Sequence, residues 1–317
     1  MKILANDGID AGGKAALEAQ GHVVETNFVP QDQLVNYITT NGVQGLLVRS
    51  ATKVRKDIID GCPELKFVGR GGVGIDNIDA AYAKERGLLV FNTPASSSQS
   101  VAELAMSMMF AASRFIYAAG GSMPSNGDSQ FGDLKKIYSK GVELSGKTLV
   151  IVGLGRIGKS LAAYALGCGM KVVATDKTDN VSSNIELNIA NQSISLEIPH
   201  MPLHEALSIA DFISLHVPKQ PNGDAVIGKA ELALMKKSAI ILNTSRGGVI
   251  NEDDLLEALN DGVIQCACLD VFENEPNPRK DLLEHPRVIA TPHIGASTAE
   301  AQERIGLEIA SIVAGIA

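Results

Sequence analysis

The sequence predicts an α/β chain made of two doubly wound parallel-sheet units in series, and three observations predict it. Short apolar runs alternate with stretches of helical period through the first ninety residues. The alternation restarts after Gly146, and a Gly-x-Gly-x-x-Gly turn joins strand to helix where it restarts. Strands that alternate with helices are linked by crossovers, and crossovers make sheets parallel. The length of 317 residues agrees with about two domains. With 45% apolar and 20% charged residues, each can bury a core, which excludes disordered and collagen-like chains.

In the first unit the apolar runs Lys2–Asn6, His22–Glu25, Gly45–Arg49, Phe67–Arg70 and Leu88–Phe91 read as strands. Ala11–Gln20, Gln31–Thr40, Lys53–Gly61 and Ile78–Arg86 have helical period between them. Ser98–Ala119 then reads as one long helix with Ser and Gln capping candidates. It carries Val101, Leu104, Ala105, Met108 and Met109 at helical spacing, and apolar residues on more than one side suit burial between domains or subunits. Gly120–Gly146, rich in glycine and poor in apolar residues, reads mostly as loop.

The second unit follows with strands Thr148–Val152, Lys171–Thr175, Phe212–Leu215, Ala239–Leu242, Ile264–Leu269 and Val288–Ala290. Its helices are Arg156–Cys168, Leu203–Ser208, Lys229–Met235 and Glu252–Asn260, and the chain closes on a helix over Ser297–Ile316. Where that last helix packs is not legible in its residues.

Charge narrows the function. Lys and Arg total 28 against 36 Asp and Glu, a formal charge of −8. An acidic chain has no global attraction for nucleic acid or an anionic membrane, and the absence of Trp counts against base-stacking platforms. Cys62, Cys168, Cys266 and Cys268 form no C-x-x-C and read as thiols of a reducing compartment; Cys266 and Cys268 are expected on opposite faces of their strand. The start MKILANDGID is no signal peptide and no uncharged run could span a bilayer, so a cytoplasmic location is expected.

The strongest local signal is Gly153-Leu154-Gly155-Arg156-Ile157-Gly158. The strand KTLVIV runs into it and an amphipathic helix leaves it, which is the context a dinucleotide site needs. The first glycine allows the tight turn, the second lets a pyrophosphate approach, and the third lets helix and strand pack. The helix N-terminus adds free N–H groups and partial positive charge. The next strand ends at Asp176, 23 residues after Gly153, where a carboxylate accepts ribose hydroxyls and repels a 2′-phosphate. This Rossmann pattern favours NAD over NADP, although the neighbouring Lys177 works against the preference.

Hydride exchange between an alcohol and a ketone also needs a proton donor or acceptor, and a carboxylate beside the reacting carbon calls for a guanidinium. His293 stands in Thr291-Pro292-His293-Ile294-Gly295-Ala296, directly after a strand. Arg246 stands in Asn243-Thr244-Ser245-Arg246-Gly247-Gly248, also after a strand. Glu275 follows the strand that ends at Asp270 and is placed to hold an imidazole in one tautomer. His216 closes the strand FISLH before Val217 and Pro218, where it could line a cofactor cleft. His200 and His204 are four apart, but Pro202 spoils a helical metal pair and no metal site is expected.

With those sites together, the sequence resembles the D-isomer-specific 2-hydroxyacid dehydrogenases. The stretches that carry the likeness are VGRGGVGIDNID, FNTP, SVAELA, GKTLVIVGLGRIG, LHVP, LNTSRGGVI, LDVFENEP and TPHIGAS, in the family's order. The resemblance implies two Rossmann/flavodoxin-like domains. The substrate domain would be discontinuous, residues 1–97 and 292–317, around an NAD-binding domain at 98–291. It also implies a homodimer in which the long helix takes part. Carried over by motif, Arg246 binds the substrate's carboxylate and carbonyl, His293 is the general acid/base, and Glu275 is its partner. Gly153, Gly155, Arg156, Ile157 and Gly158 meet the pyrophosphate and Asp176 the ribose. Val73, His216, Val217, Pro218, Thr244, Ser245, Arg246, Asp270, His293, Gly295 and Ala296 complete the cofactor surface. Arg49, Ser50, Lys53, Arg70, Gly72, Val73 and Gly74 face the substrate.

Within the family, VRSATKV and GRGGVGIDNID look most like the members that oxidise D-3-phosphoglycerate with NAD at the opening of serine biosynthesis. Arg49, Lys53 and Arg70 fall at or after strand ends, and three cations there could hold a phosphate. The alternative is a reductase of hydroxypyruvate, glyoxylate or pyruvate. A remoter one is an NAD-sensing binding protein, which the absence of a basic tail disfavours. Long members carry serine-binding C-terminal domains; here the chain stops after the Ser297 helix, so no such feedback is expected.

Overall fold

A computed structural model describes residues 1–176, 183–189 and 192–316. The chain divides into two compact units, Met1–Ser100 with Ala296–Ala317, and Val101–Gly295.

The first unit alternates β1 (Lys2–Ala5), α1 (Ala11–Ala19), β2 (Val23–Glu25), α2 (Leu34–Asn41), β3 (Gly45–Val48), α3 (Lys56–Gly61), β4 (Phe67–Arg70), α4 (Ala80–Glu85) and β5 (Leu89–Asn92). Its five strands are all parallel in the order β2-β1-β3-β4-β5. This is the flavodoxin-like order, whose switch point lies between β1 and β3. Alternate strand residues serve opposite cores, as a two-residue period requires. Leu4, Leu46, Val48 and Val68 face α2 and α3, whereas Ile3, Ala5, Leu47 and Phe67 face Leu17 of α1.

The second unit is entered through α5 (Ser98–Ser113), α6 (Ile116–Asn126) and α7 (Phe131–Ile137). It continues with β6 (Thr148–Val152), α8 (Arg156–Gly167), β7 (Lys171–Thr175), β8 (Asn184–Ile189), β9 (Gln192–Glu197), α9 (Leu203–Ile209) and β10 (Phe212–Leu215). Then come α10 (Lys229–Leu234), β11 (Ile240–Asn243), α11 (Glu252–Asn260), β12 (Cys266–Leu269), α12 (Lys280–Leu283) and β13 (Val288–Ala290). Six parallel strands run β13-β12-β11-β10-β6-β7, so the order reverses between β6 and β10. Both faces are covered: Val150, Ile213 and Ile241 join one core, and Leu149, Ile151 and Phe212 the other. The last helix, α13 (Ala299–Ala314), returns to the first unit, where Ile305, Ile309 and Val313 close the core against Ile3, Ala5 and Leu17.

Several expectations need correction. The long helix ends at Ser113, because Phe115 takes a left-handed backbone (φ 56°) and α6 leaves at a bend of 59°. The region expected as loop from Gly120 holds the rest of α6 and all of α7. No residue of α6 is buried, and Gly120, Gly121 and Pro124 weaken its helical signal, so composition hid it. The antiparallel pair β8–β9 was also not foreseen; Ile185 faces Leu196 and Leu187 faces Ile194. Cys266 and Cys268 share one face, with Ala267 in the opposite core, as residues two apart on a strand must. The described cysteines are all free thiols. Among the described residues no single helix is long and apolar enough to cross a membrane.

Candidate active site

The glycine turn sits at the reversal of strand order in the second unit, where open α/β sheets leave a crevice. Gly153 has φ +98°, and a Cβ there would lie 2.7 Å from the His216 carbonyl oxygen at the end of β10. A Cβ on Gly158 would lie 2.4 Å from the Gly153 oxygen, so helix and turn are in backbone contact. Gly155 faces open space and caps α8 without a side-chain hydrogen bond, which leaves the first-turn N–H groups for an anion. Arg156 is exposed and Ile157 half-buried at that end.

Two observations fit a dinucleotide to this unit. The His216 Nδ1 and the Thr244 Oγ1 are buried without a partner, just past the paired ends of β10 and β11. Buried polar atoms are normally satisfied, so a ligand's polar groups are the natural complement. Val217 and Pro218 continue from His216, half-buried and exposed respectively. Asp176 follows β7; its Oδ2 accepts the Leu154 N–H at 3.0 Å and lies 3.4 Å from the His200 Nε2. Lys177, weighed above against NAD preference, lies outside the described residues.

His216 also makes a stability prediction. Its Nε2 lies 2.9 Å from the Ser214 hydroxyl, and burial pushes the imidazole down to about 4 from 6.5. Between those values the unfolded chain binds the extra proton, so stability rises with pH across the window and is lost as pH falls through it. The loss approaches about 3 kcal/mol by pH 4. Urea midpoints between pH 7 and pH 4 should show it, with a shallower slope in His216→Gln.

The His293–Glu275 pair comes from two loops. His293 Nδ1 lies 2.7 Å from Glu275 Oε2. An ionised carboxylate only accepts, so Nδ1 carries the hydrogen and Nε2 is the nitrogen left to exchange a proton. Glu275 Oε1 accepts the Phe272 N–H at 2.9 Å. Burial alone would raise this carboxyl, but the His293 hydrogen bond, the Phe272 N–H and the charges of His293 and Arg246 outweigh it, and Glu275 titrates below its usual range.

His293 has φ +54°, uncommon for a residue with a side chain and worth about 1–3 kcal/mol of strain. Asp270, 1% exposed, holds it there. Its Oδ1 accepts the Thr291 hydroxyl at 2.6 Å and the Ile294 N–H at 2.8 Å, and its Oδ2 accepts the Gly295 N–H at 2.8 Å. The resemblance places Asp270 on the cofactor surface; in the structure its carboxylate takes these three hydrogen bonds from the His293 loop.

Arg246 projects from a turn that Asn243 builds. The Asn243 Oδ1 accepts the Ser245 N–H at 3.1 Å and hydroxyl at 2.8 Å, and its Nδ2 donates to the Arg246 oxygen at 2.9 Å. Arg246 Nη1 donates to the Ser245 oxygen at 2.6 Å. Asn243 went unread as a site residue; its signal was an Asn at a strand end before a glycine-rich turn.

In the first unit, Val48 pairs with Arg70, which brings Arg49 and Arg70 to neighbouring strand ends. The Arg70 Nε donates to the Arg49 oxygen at 3.3 Å. The Arg49 N–H donates to Asp7 Oδ2 at 2.6 Å, and Asn77 Nδ2 donates to the Arg49 oxygen at 2.8 Å. Burial lowers the Arg49 guanidinium, against the charges of Asp7 and Asp10. Ser50 and Lys53 are exposed, and Lys53 is fixed separately, its N–H on Gln31 Oε1 at 3.1 Å. The Gly72 N–H donates to the Thr93 hydroxyl at 2.8 Å, and Asn92 Nδ2 donates to the Val73 oxygen. Gly74 is half-buried in the same turn. The Ala296 oxygen accepts Gln302 Nε2 at 2.7 Å.

Comparison with known proteins gives consistent relatives. The model of the D-isomer specific 2-hydroxyacid dehydrogenase NAD binding domain matches residues 106–295. A D-3-phosphoglycerate dehydrogenase of Methanocaldococcus jannaschii is 42% identical over 98% of this chain and 56% of its own length. The chain thus spans about half the length of that curated relative. A hydroxypyruvate reductase of Thermotoga maritima is 41% identical over 97% of this chain and 95% of its own length. The crystal structure of a glyoxylate reductase from Paecilomyes thermophila superposes with a TM-score of 0.83 at 26% identity, covering 99% of this chain and 94% of that one. The Val101–Gly295 unit is an NAD(P)-binding domain.

Proposed function

The chain belongs to the D-isomer-specific 2-hydroxyacid dehydrogenase family, and we propose that it interconverts a small D-2-hydroxy acid and its 2-keto acid, of the hydroxypyruvate and glyoxylate class. One observation carries the reading: the 2.7 Å Glu275–His293 pair stands in the same unit as the glycine turn and has an imidazole Nε2 to offer. NAD(P), when bound, supplies the hydride carrier. The residues of this chain handle the proton and the charge. His293 Nε2 gives a proton to the carbonyl oxygen in reduction and takes it back in oxidation. Glu275, ionised, holds the tautomer and stabilises the imidazolium that forms. Arg246 offers a planar fork to the carboxylate and carbonyl oxygen. Asp176 favours NAD over NADP by repelling a 2′-phosphate.

A second reading rests on Arg49 and Arg70 at neighbouring strand ends: a phosphorylated three-carbon acid, the D-3-phosphoglycerate of the serine route. The test is NADH consumption at 340 nm with hydroxypyruvate, glyoxylate, pyruvate and 3-phosphohydroxypyruvate side by side. The main reading expects turnover with the unphosphorylated acids that Arg49→Gln barely changes. Turnover confined to the phosphorylated acid, and lost in Arg49→Gln, would replace it with the second.

A further inference from the structure

Glu252 opens α11, is ionisable and is only 5% exposed, yet it has no part in the chemistry above. Its partners explain the burial. The Glu252 Oε1 accepts the Glu273 N–H at 2.8 Å, and the Glu252 N–H donates to the Glu273 Oε1 at 3.1 Å. Each residue thus closes the other's backbone donor, a reciprocal arrangement like a capping box but made between a helix start and a distant loop.

That loop is the one that carries Glu275. The Phe272 N–H is held by Glu275 and the next N–H, of Glu273, by Glu252. The other side of the same peptide is met by Gly247, the residue after Arg246. A Cβ on Gly247 would fall 1.7 Å from the Phe272 oxygen and 2.1 Å from its carbonyl carbon, so the two backbones are in direct contact. The Phe272–Glu273 peptide therefore lies between the Arg246 turn and the first turn of α11. Whatever fixes this peptide fixes the guanidinium and the carboxylate in register.

Resting on the function proposed above, we propose that Glu252 is a positioning residue: through the Glu273 N–H it holds the Phe272–Glu273 peptide against Gly247, and so aligns Glu275 with both His293 and Arg246. Acceptance by Oε1 needs no charge, so an amide can replace the carboxylate, whereas a shorter or apolar side chain cannot reach. Misplacement of a catalytic group by about 1 Å costs up to about a hundredfold in rate.

The experiment compares Glu252→Ala, Glu252→Asp and Glu252→Gln in the full chain, with NADH against hydroxypyruvate and glyoxylate. Hydrogen exchange across residues 271–276 is measured in parallel. Glu252→Ala is expected to lower kcat by roughly tenfold or more with the KM for NADH within about twofold, and to speed exchange at Phe272 and Glu273. Glu252→Gln should restore most of both. If Glu252→Ala does not fold, Glu252→Asp against Glu252→Gln makes the same contrast. Unchanged kcat in Glu252→Ala, unchanged exchange, or a Gln variant as impaired as Ala overturns the proposal. A wild-type protein that consumes no NADH with either acid overturns the function instead, and exchange then still reads whether Glu252 holds the loop.

Discussion

Replacing His293 with alanine is expected to lower kcat by about three orders of magnitude while leaving NADH affinity nearly unchanged. The expectation follows from how much of the local structure serves this one ring. Its backbone is held at φ +54° by a buried carboxylate that takes three hydrogen bonds from residues 291–295. Its Nδ1 is committed to Glu275, so Nε2 is the nitrogen left for the proposed proton transfer. Because the glycine turn and the orphaned His216 and Thr244 atoms involve other loops, cofactor affinity should survive. Glu275→Gln should fall between wild type and His293→Ala, since an amide keeps a hydrogen bond but not the charge facing the imidazolium. Fluorescence titration with NADH beside steady-state kinetics separates the two effects. Turnover in His293→Ala within a few-fold of wild type would remove His293 from the chemistry.

The second large effect is expected at Arg246. Arg246→Lys keeps the charge and loses the fork. The Ser245 oxygen takes Nη1 at 2.6 Å, which helps orient the guanidinium plane. A lysine has no plane to orient, and its ammonium would be a mobile point charge. The expected loss in kcat/KM is about a hundredfold or more, the scale of removing one preorganised donor at a developing oxyanion. It should appear in both kcat and KM, because the same group is proposed to meet the carboxylate in the ground state and the carbonyl oxygen in the transition state. An effect on NADH affinity alone would point to a cofactor contact instead.

Much of this was legible before any coordinates. The doubly wound sheets follow from apolar runs such as KILA and TLVIV set between helical stretches, and the turn at Gly153 was fixed by its strand, helix and Asp176 in register. His293, Glu275 and Arg246 were legible as strand-end residues because strand ends are where such sheets meet ligands. What escaped has physical causes. The apolar residues of α6 stay at the surface, so no buried stripe marks the helix. The β8–β9 pair did carry a signal, the two-residue alternation of NIELNI and SISLE, but it is a local ribbon apart from the six-stranded sheet. Asn243 and Glu252 act through hydrogen bonds to loops, and only the folded chain shows which side chain meets which N–H. Gly247 reads in the sequence only as part of a glycine-rich stretch after a strand, whereas its place is set by the Phe272 carbonyl.

The site is proposed to move a hydride and a proton at C2 of a D-2-hydroxy acid. The most direct measurement is the chirality of the product when hydroxypyruvate is reduced to completion with NADH and the glycerate is resolved on a chiral column. Formation of D-glycerate, stoichiometric with NADH consumed and abolished in His293→Ala, is the predicted result. L-glycerate, or NADH left unconsumed with every 2-keto acid offered, would contradict it.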